Sequence, residues 1–197
     1  MARSPRRGPK IHIPEELQVL PIMSVVVFPF AIVQLLVRRD RNVALLKSLK
    51  STNNIIALVS PKDPNISEPE AEDLHEYGVA AKIVNQVDTS HDSIQIVIQG
   101  LCRIRVKKFT KLTPFFHAKI SEVVEKEQDD LETKVLLENL IELFNRFVSQ
   151  NPRYSSEIVR IVEMNLDEGP SVIADLIASY VNFKMEEKQK ILELLNV

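Results

Sequence analysis

The side chains that could carry out covalent chemistry are few and scattered along the sequence. The chain has one cysteine, Cys102, and four histidines: His12, His75, His91 and His117. None of the histidines lies at metal-ligand spacing from another histidine or from Cys102, so the sequence predicts no zinc site. A nucleophilic pair of Cys102 and His117 can be drawn, but Cys102 is in phase with Ile104 and Val106 on an alternating strand. We therefore interpret Cys102 as a buried core residue rather than a nucleophile.

Motifs that hold phosphate or activate a serine do not occur in the sequence. Its four glycines form no GxxxxGK[ST], GxGxxG or GxSxG pattern. Neighbouring acids, such as Asp129 with Asp130 and Glu186 with Glu187, are typical of exposed helix termini. We therefore predict no catalytic residue, no cofactor site and no metal site in these residues.

A row of basic residues raises the question of nucleic acid. It comprises Arg103, Arg105, Lys107, Lys108 and Lys111. Such a row could bind RNA, but no aromatic residue alternates with the cations to stack on bases. The alternative is the solvated face of an outer strand, where lysine also blocks edge pairing. We favour the solvated face and do not expect nucleic acid as a partner.

Two aromatic pairs lie beside prolines at the starts of predicted strands. Phe28 and Phe30 form one pair, and Phe115 and Phe116 form the other. Neighbouring side chains on an extended chain point to opposite faces, so one member of each pair should point outward or into a groove. An exposed Phe beside an open strand edge suits an unfolded polypeptide. We predict substrate contacts by Phe30, Phe115 or Phe116, with Val27 and Phe28 mostly in the core.

The first part of the chain predicts short strands and one short helix. The strands are expected over residues 17–22, 31–37, 54–60, 78–87, 94–99, 102–108 and 116–124, and the helix over 41–51. Strands this short and frequent, with no long crossover helix between them, favour a closed or half-closed antiparallel barrel. The fold class is therefore α+β, with the barrel first.

The second part of the chain changes to a helical period. Apolar residues recur along one face from Leu131 to Val148, after Asp129 and before a break at Asn151. Further helices are predicted to begin near Ser155 or Ser156, Pro170 and Lys184. The chain ends at Val197 while its helical face is still apolar, so we expect the natural protein to continue into the rest of a bundle.

Charge supports a division into two modules. Residues 1–125 hold 17 Lys and Arg against 13 Asp and Glu, whereas residues 126–197 hold 8 against 14. We predict a flexible basic tail over residues 1–16, a sheet domain over 17–125, and a truncated helical bundle over 126–197.

The amino-terminal tail also bears on localisation. It lacks the apolar segment of a secretory signal, and its prolines argue against the amphipathic helix of a mitochondrial presequence. No apolar run in the sequence is long enough to cross a bilayer. We therefore expect a bacterial cytoplasmic protein, with the mitochondrial matrix as the alternative.

Four segments, in this order, resemble the amino-terminal region of the Lon protease family. They are LPIMSVVVFPFAIVQLLVRRDRNVALL, EPEAEDLHEYGVAAKI, IQIVIQGLCRIRVKKF and IADLIASYVNFKMEEKQKILELLNV. The resemblance extends from about Leu17 to Val197. The sequence departs from the family pattern at Ile22 with Met23, over residues 77–80 and at Gly169, which bears on local detail.

The resemblance implies a PUA-like barrel followed by a helical bundle, with no catalytic residue in this chain. It also implies a parent protein that forms a hexamer, binds ATP and Mg and cuts proteins with a Ser–Lys dyad. This region would then capture unfolded, damaged and short-lived regulatory proteins, and its own weak dimer is a further expectation. The alternatives are a stand-alone PUA-like adaptor or RNA-binding protein, and an enzyme that uses Cys102.

Overall fold

The structure is a computed structural model and describes residues 11–49, 54–90, 92–124 and 130–195. Several predictions fall outside these ranges: most of the basic tail, the end of the first helix at residues 50–51, His91, Asp129 and Val197. The strands are β1 (Glu16–Pro21), β2 (Ile32–Val37), β3 (Ile55–Val59), β4 (Tyr77–Ser90), β5 (Ser93–Lys111) and β6 (Phe116–Glu122). The α-helices are α1 (Asp40–Ser48), α2 (Leu131–Gln150), α3 (Glu157–Met164), α4 (Pro170–Tyr180) and α5 (Met185–Glu193).

The six strands form one sheet in the order β2-β5-β4-β3-β1-β6, and β6 also pairs with β5. All these pairs are antiparallel except β1 with β3, which is parallel. The predicted closed or half-closed antiparallel barrel therefore does not describe this pair. The chain leaves β1, passes through β2 and α1, and returns beside β1 in the same direction. This excursion supplies the crossover that a parallel pair needs.

The two strands predicted over residues 94–99 and 102–108 are one long strand, β5. Gly100, which lies between the two predicted strands, is required for packing. A Cβ at Gly100 would collide with the carbonyl oxygen of Phe28, because the turn before β2 crosses the strand there. Shifts in register between β4 and β5 occur at three places, and such irregularities bend a sheet. The bent β5 pairs with β2 and β4 in its first half, and with β4 and β6 in its second.

The core of the sheet consists of alternating apolar side chains from every strand. One cluster contains Leu20, Ile56 and Ile96 together with α1, and another contains Val19 and Ile104. Val27 and Phe28 are buried, which confirms the prediction that they belong to the core.

The helices pack on one another and on the sheet. Helices α2, α3 and α4 share a cluster that includes Phe144, Val162 and Ile173. Ala178 of α4 and Leu192 lie against Phe28 and other residues of the sheet region. Within the described ranges, no helix is long and apolar enough to cross a membrane.

Candidate functional site

The three phenylalanines that were predicted to contact substrate differ in their exposure to solvent. Phe30 is 45% exposed, whereas Phe115 is 9% and Phe116 0% exposed. The expectation that one member of the second pair points outward is therefore wrong. Phe115 lies in the bend before β6, where the alternation of an extended strand does not apply, and its ring stacks on His117 at 5.2 Å. Phe116 packs against Phe109 in the core, with the rings 5.6 Å apart.

Phe30 adopts a backbone conformation that is rare for its residue type. Its φ is 65°, in the left-handed region where a bulky side chain is strained. Two hydrogen bonds hold the turn: the Phe30 N–H donates to the Gly100 carbonyl at 3.0 Å, and the Gly100 N–H donates to the Ala31 carbonyl at 2.9 Å. The turn places an exposed aromatic ring two residues before the start of β2.

Strand β2 continues this exposed apolar surface. Ile32 is 71% and Leu36 51% exposed, and Gln34 between them is also exposed. Their side chains share one face of the strand because they alternate with the half-buried Val33 and Leu35.

Strands β5 and β4 continue this face across the sheet. Side chains of residues that are paired across a sheet point to the same face, so the register defines three rows of side chains on this face. They are Ile32–Gln99–Lys82, Gln34–Val97–Asn85 and Leu36–Gln95–Val87, from β2, β5 and β4 respectively. We call these nine residues the outer face. It mixes aliphatic side chains with uncharged amides and includes a single charged residue, Lys82.

Cys102 has the environment of an unreactive thiol. It is half-buried, and burial together with the nearby Glu122 raises its pKa to about 12. The thiolate is the reactive form, so the thiol is a poor nucleophile at neutral pH. His117 lies opposite Lys111, towards the far end of β5, and is not placed to activate Cys102. The pKa of His117 is lowered by partial burial and by Lys111.

The basic row does not form one solvated face, so that prediction is wrong at Arg103. Arg103 is 5% exposed and forms a two-fold ion pair with Asp175 of α4, with both N–O distances 2.6 Å. Its Nε also donates to the Leu192 carbonyl at 3.0 Å. The physical reason is that α4 and α5 cover this side of β5. Arg105 bonds to Glu76 at 2.9 Å, and the three lysines of the row are exposed.

Further polar contacts join α5 to the sheet beside this ion pair. Gln189 donates to the Tyr77 carbonyl at 3.1 Å, and His75 Nδ1 lies 3.2 Å from a carboxylate oxygen of Glu193. Sequence reasoning missed this junction. A detectable signal was Asp175, a charged residue inside the apolar segment of α4.

The described residues contain no cluster of His, Cys, Asp and Glu suited to a metal ion. An open groove of about 470 Å³ lies between α1 and β4, and Leu46, Leu49 and Asn85 are among its lining residues. The outer face lies apart from most of this groove and combines exposed aliphatic side chains with uncharged amides.

A family model described as "ATP-dependent protease La (LON) substrate-binding domain" matches residues 16–197. The chain belongs to this family. The Lon protease of Dictyoglomus thermophilum is 34% identical over 185 residues, which is 94% of this chain and 23% of that protein. The Lon protease of Bacillus thuringiensis is 32% identical over 178 residues, 90% of this chain and 22% of that protein. The chain thus spans less than a quarter of these two relatives.

Two solved structures share the fold. The N-terminal domain of a Mycobacterium avium complex Lon protease superposes with a TM-score of 0.69 at 20% identity, covering 91% of this chain and 90% of that one. A Lon N-terminal domain protein from Xanthomonas campestris gives 0.62 at 17% identity, covering 92% and 91%. The fold is thus the sheet-rich, helix-bearing fold of Lon N-terminal domains, and the family match makes the chain a Lon-type substrate-binding domain. The alternative of a stand-alone adaptor or RNA-binding protein gains no support from these relatives.

Proposed function

We propose that this chain captures unfolded, damaged and short-lived regulatory proteins and delivers them to the motor and peptidase of a Lon protease. The observation that carries the proposal is the outer face, which exposes Ile32 and Leu36 and has almost no charge. Unfolded proteins differ from folded ones in exposing apolar side chains and unpaired backbone. A surface of this composition gains most from such chains because it buries apolar area without desolvating charge.

The proposed capture surface consists of the outer face and Phe30, whose exposed ring would add apolar area just before β2. Burial of Phe115 and Phe116 argues against their direct contact with a client, so we place their contribution in the core that supports the sheet.

The parent protein is proposed from the family alone. It would be an ATP-dependent serine protease that assembles as a hexamer in the bacterial cytoplasm, with ATP, Mg and the Ser–Lys dyad held outside this chain. In this proposal the present residues are a non-catalytic module, and a weak dimer of the module would be secondary to the hexamer.

Two finer features of the architecture are part of the same proposal. The β5–β6 pairing supports a PUA-like barrel made of β5, β4, β3, β1 and β6, with β2 attached to its side. The shared cluster of α2, α3 and α4 supports a helical bundle that the remainder of the parent protein would complete.

A double substitution, Ile32→Ser with Leu36→Ser, tests the capture surface. Both side chains are exposed, so the fold should tolerate the change, with the unfolding free energy altered by about 0.5 kcal/mol or less. Affinity for permanently unfolded casein, measured by fluorescence anisotropy, should fall about tenfold or more because two apolar contacts are lost.

A matched control is available on the helices. Leu131 and Met164 are 78% and 81% exposed, and their double replacement by Ser removes similar apolar area elsewhere. This variant should bind casein as the native chain does. Equal losses in the two variants, or no loss in the first, would refute the proposed site.

A further inference from the structure

The edge of β2 is the feature of the sheet that the capture of apolar side chains does not explain. Among the described strands, β2 alone pairs with a single neighbour, β5, whereas each of the others pairs with two or three. No described strand therefore pairs with the backbone N–H and C=O groups along the far side of β2, which is the position that an incoming strand would take.

Proteins often protect such an edge with charged residues or proline, and β2 has neither. Its sequence IVQLLV contains neither a charged residue nor a proline, and all six residues pair with β5 in uninterrupted register. The protections appear just outside the strand instead, as Pro29 before it and Arg38 and Arg39 after it. The result is a short, uncharged edge with defined ends.

We propose that β2 recognises its client through backbone pairing, in which an extended segment of about six residues adds to the sheet as an antiparallel strand. The inference rests on the proposed function and specifies the class of substrate: an uncharged segment of alternating apolar residues without proline. Its side chains on one face would lie beside Ile32, Gln34 and Leu36, and those on the other beside Val33 and Leu35.

The chemistry of the edge explains how one site could accept many sequences. Backbone groups are the same in every polypeptide, so pairing supplies affinity without demanding a particular side chain. The aliphatic flanks then disfavour a charged segment, since its charges would be desolvated with no opposite charge on β2 to receive them. Folded proteins are excluded because their strand edges are already paired or protected.

Backbone methylation of a peptide tests the pairing without altering the protein. The probe is an acetylated, fluorescent peptide of about ten residues in which Val alternates with Thr, long enough to cover β2. One derivative carries N-methyl groups on alternate residues, which blocks one edge of the strand and leaves the other intact. A second carries them on every residue, which blocks both edges. Affinity for the 197-residue chain is measured by anisotropy.

We expect the peptide methylated on every residue to lose at least tenfold in affinity and the peptide methylated on alternate residues to bind like the parent peptide, because it can still pair through its free edge. Amide hydrogen exchange supplies a second measurement, because alternate β2 amides should exchange more slowly only when the peptide is bound. Equal affinity of the two methylated peptides, whether strong or weak, would overturn backbone pairing.

The same measurements separate this inference from the function on which it rests. If the methylated peptides bind equally while the Ile32 and Leu36 double variant loses casein, side-chain capture stands and edge pairing fails. If that double variant binds casein with the affinity of the native chain, the proposed site itself fails. Concentration-dependent dimerisation that competes with the peptide would assign the edge to a second copy of the chain, and would also overturn the proposal.

Discussion

At the scale of single residues, Phe30 combines two properties that rarely occur together: a strained backbone and an exposed aromatic ring. Non-glycine residues in the left-handed region cost roughly 1–2 kcal/mol, and the cost is smaller for Asn than for bulky side chains. A position chosen only for stability would therefore favour Gly or Asn. A Phe at this strained and exposed position supports a role in binding.

The substitution Phe30→Asn should separate the two properties. We expect the unfolding free energy, measured by urea denaturation, to stay constant or rise by up to about 1 kcal/mol as strain is relieved. Casein affinity should fall. The matched control is Phe183→Asn, since Phe183 is 41% exposed but lies between α4 and α5, and its loss should leave casein affinity unchanged. A marked loss of stability in Phe30→Asn would mean that the ring is a packing residue.

Cys102 gives a second prediction at this scale. Burial raises the pKa of its thiol from 9.0 to about 12, so the thiolate fraction near neutral pH is roughly a thousandfold lower than for a free cysteine. Labelling of the native chain by a thiol reagent at pH 8 should therefore be slow. It should reach the rate of a free thiol only in unfolding concentrations of urea. Rapid labelling of the folded chain would reopen the hypothesis of a reactive cysteine.

At the scale of elements, the Arg103–Asp175 ion pair joins β5 to α4, and the Leu192 carbonyl brings in the end of α5. Both side chains are buried, so each depends on the other for compensation of its charge. Such pairs add little net stability, because desolvation offsets much of the attraction. We infer that this pair favours one position of the helices on the sheet.

Removing one partner of the ion pair should lower the free energy of unfolding far more than removing both. Asp175→Leu leaves a buried guanidinium without its carboxylate, and we expect the unfolding free energy to fall by about 3–5 kcal/mol. The double variant Arg103→Met with Asp175→Leu should recover most of that loss, because two apolar side chains of similar size then fill the space. Thermal denaturation of the three proteins measures this. A double variant as unstable as the single one would contradict the account.

At the scale of the whole molecule, most of the element pattern could be predicted from local signals. The change from a period of two to a period of 3.6 separated the sheet from the helices, and Gly169 before Pro170 marked the start of α4. The burial of Val27 and Phe28 followed from the same patterns. Predictions failed where a feature depends on contacts between segments that are distant in sequence. Examples are the continuous strand β5 and the parallel β1–β3 pair.

The sequence by itself determined the α+β class, the order of its elements and the family, because periodicity, turn residues and motif order are properties of short segments. Only the tertiary structure decided which side of a strand is covered. Arg103 follows the alternation of a surface residue, yet α4 and α5 bury it. Its partners Asp175 and Leu192 lie 72 and 89 positions further along the chain. Phe116 looked available for a client but is enclosed by the core, and β2 is left as the open edge of the described sheet. These outcomes depend on contacts between distant segments, which local patterns do not encode.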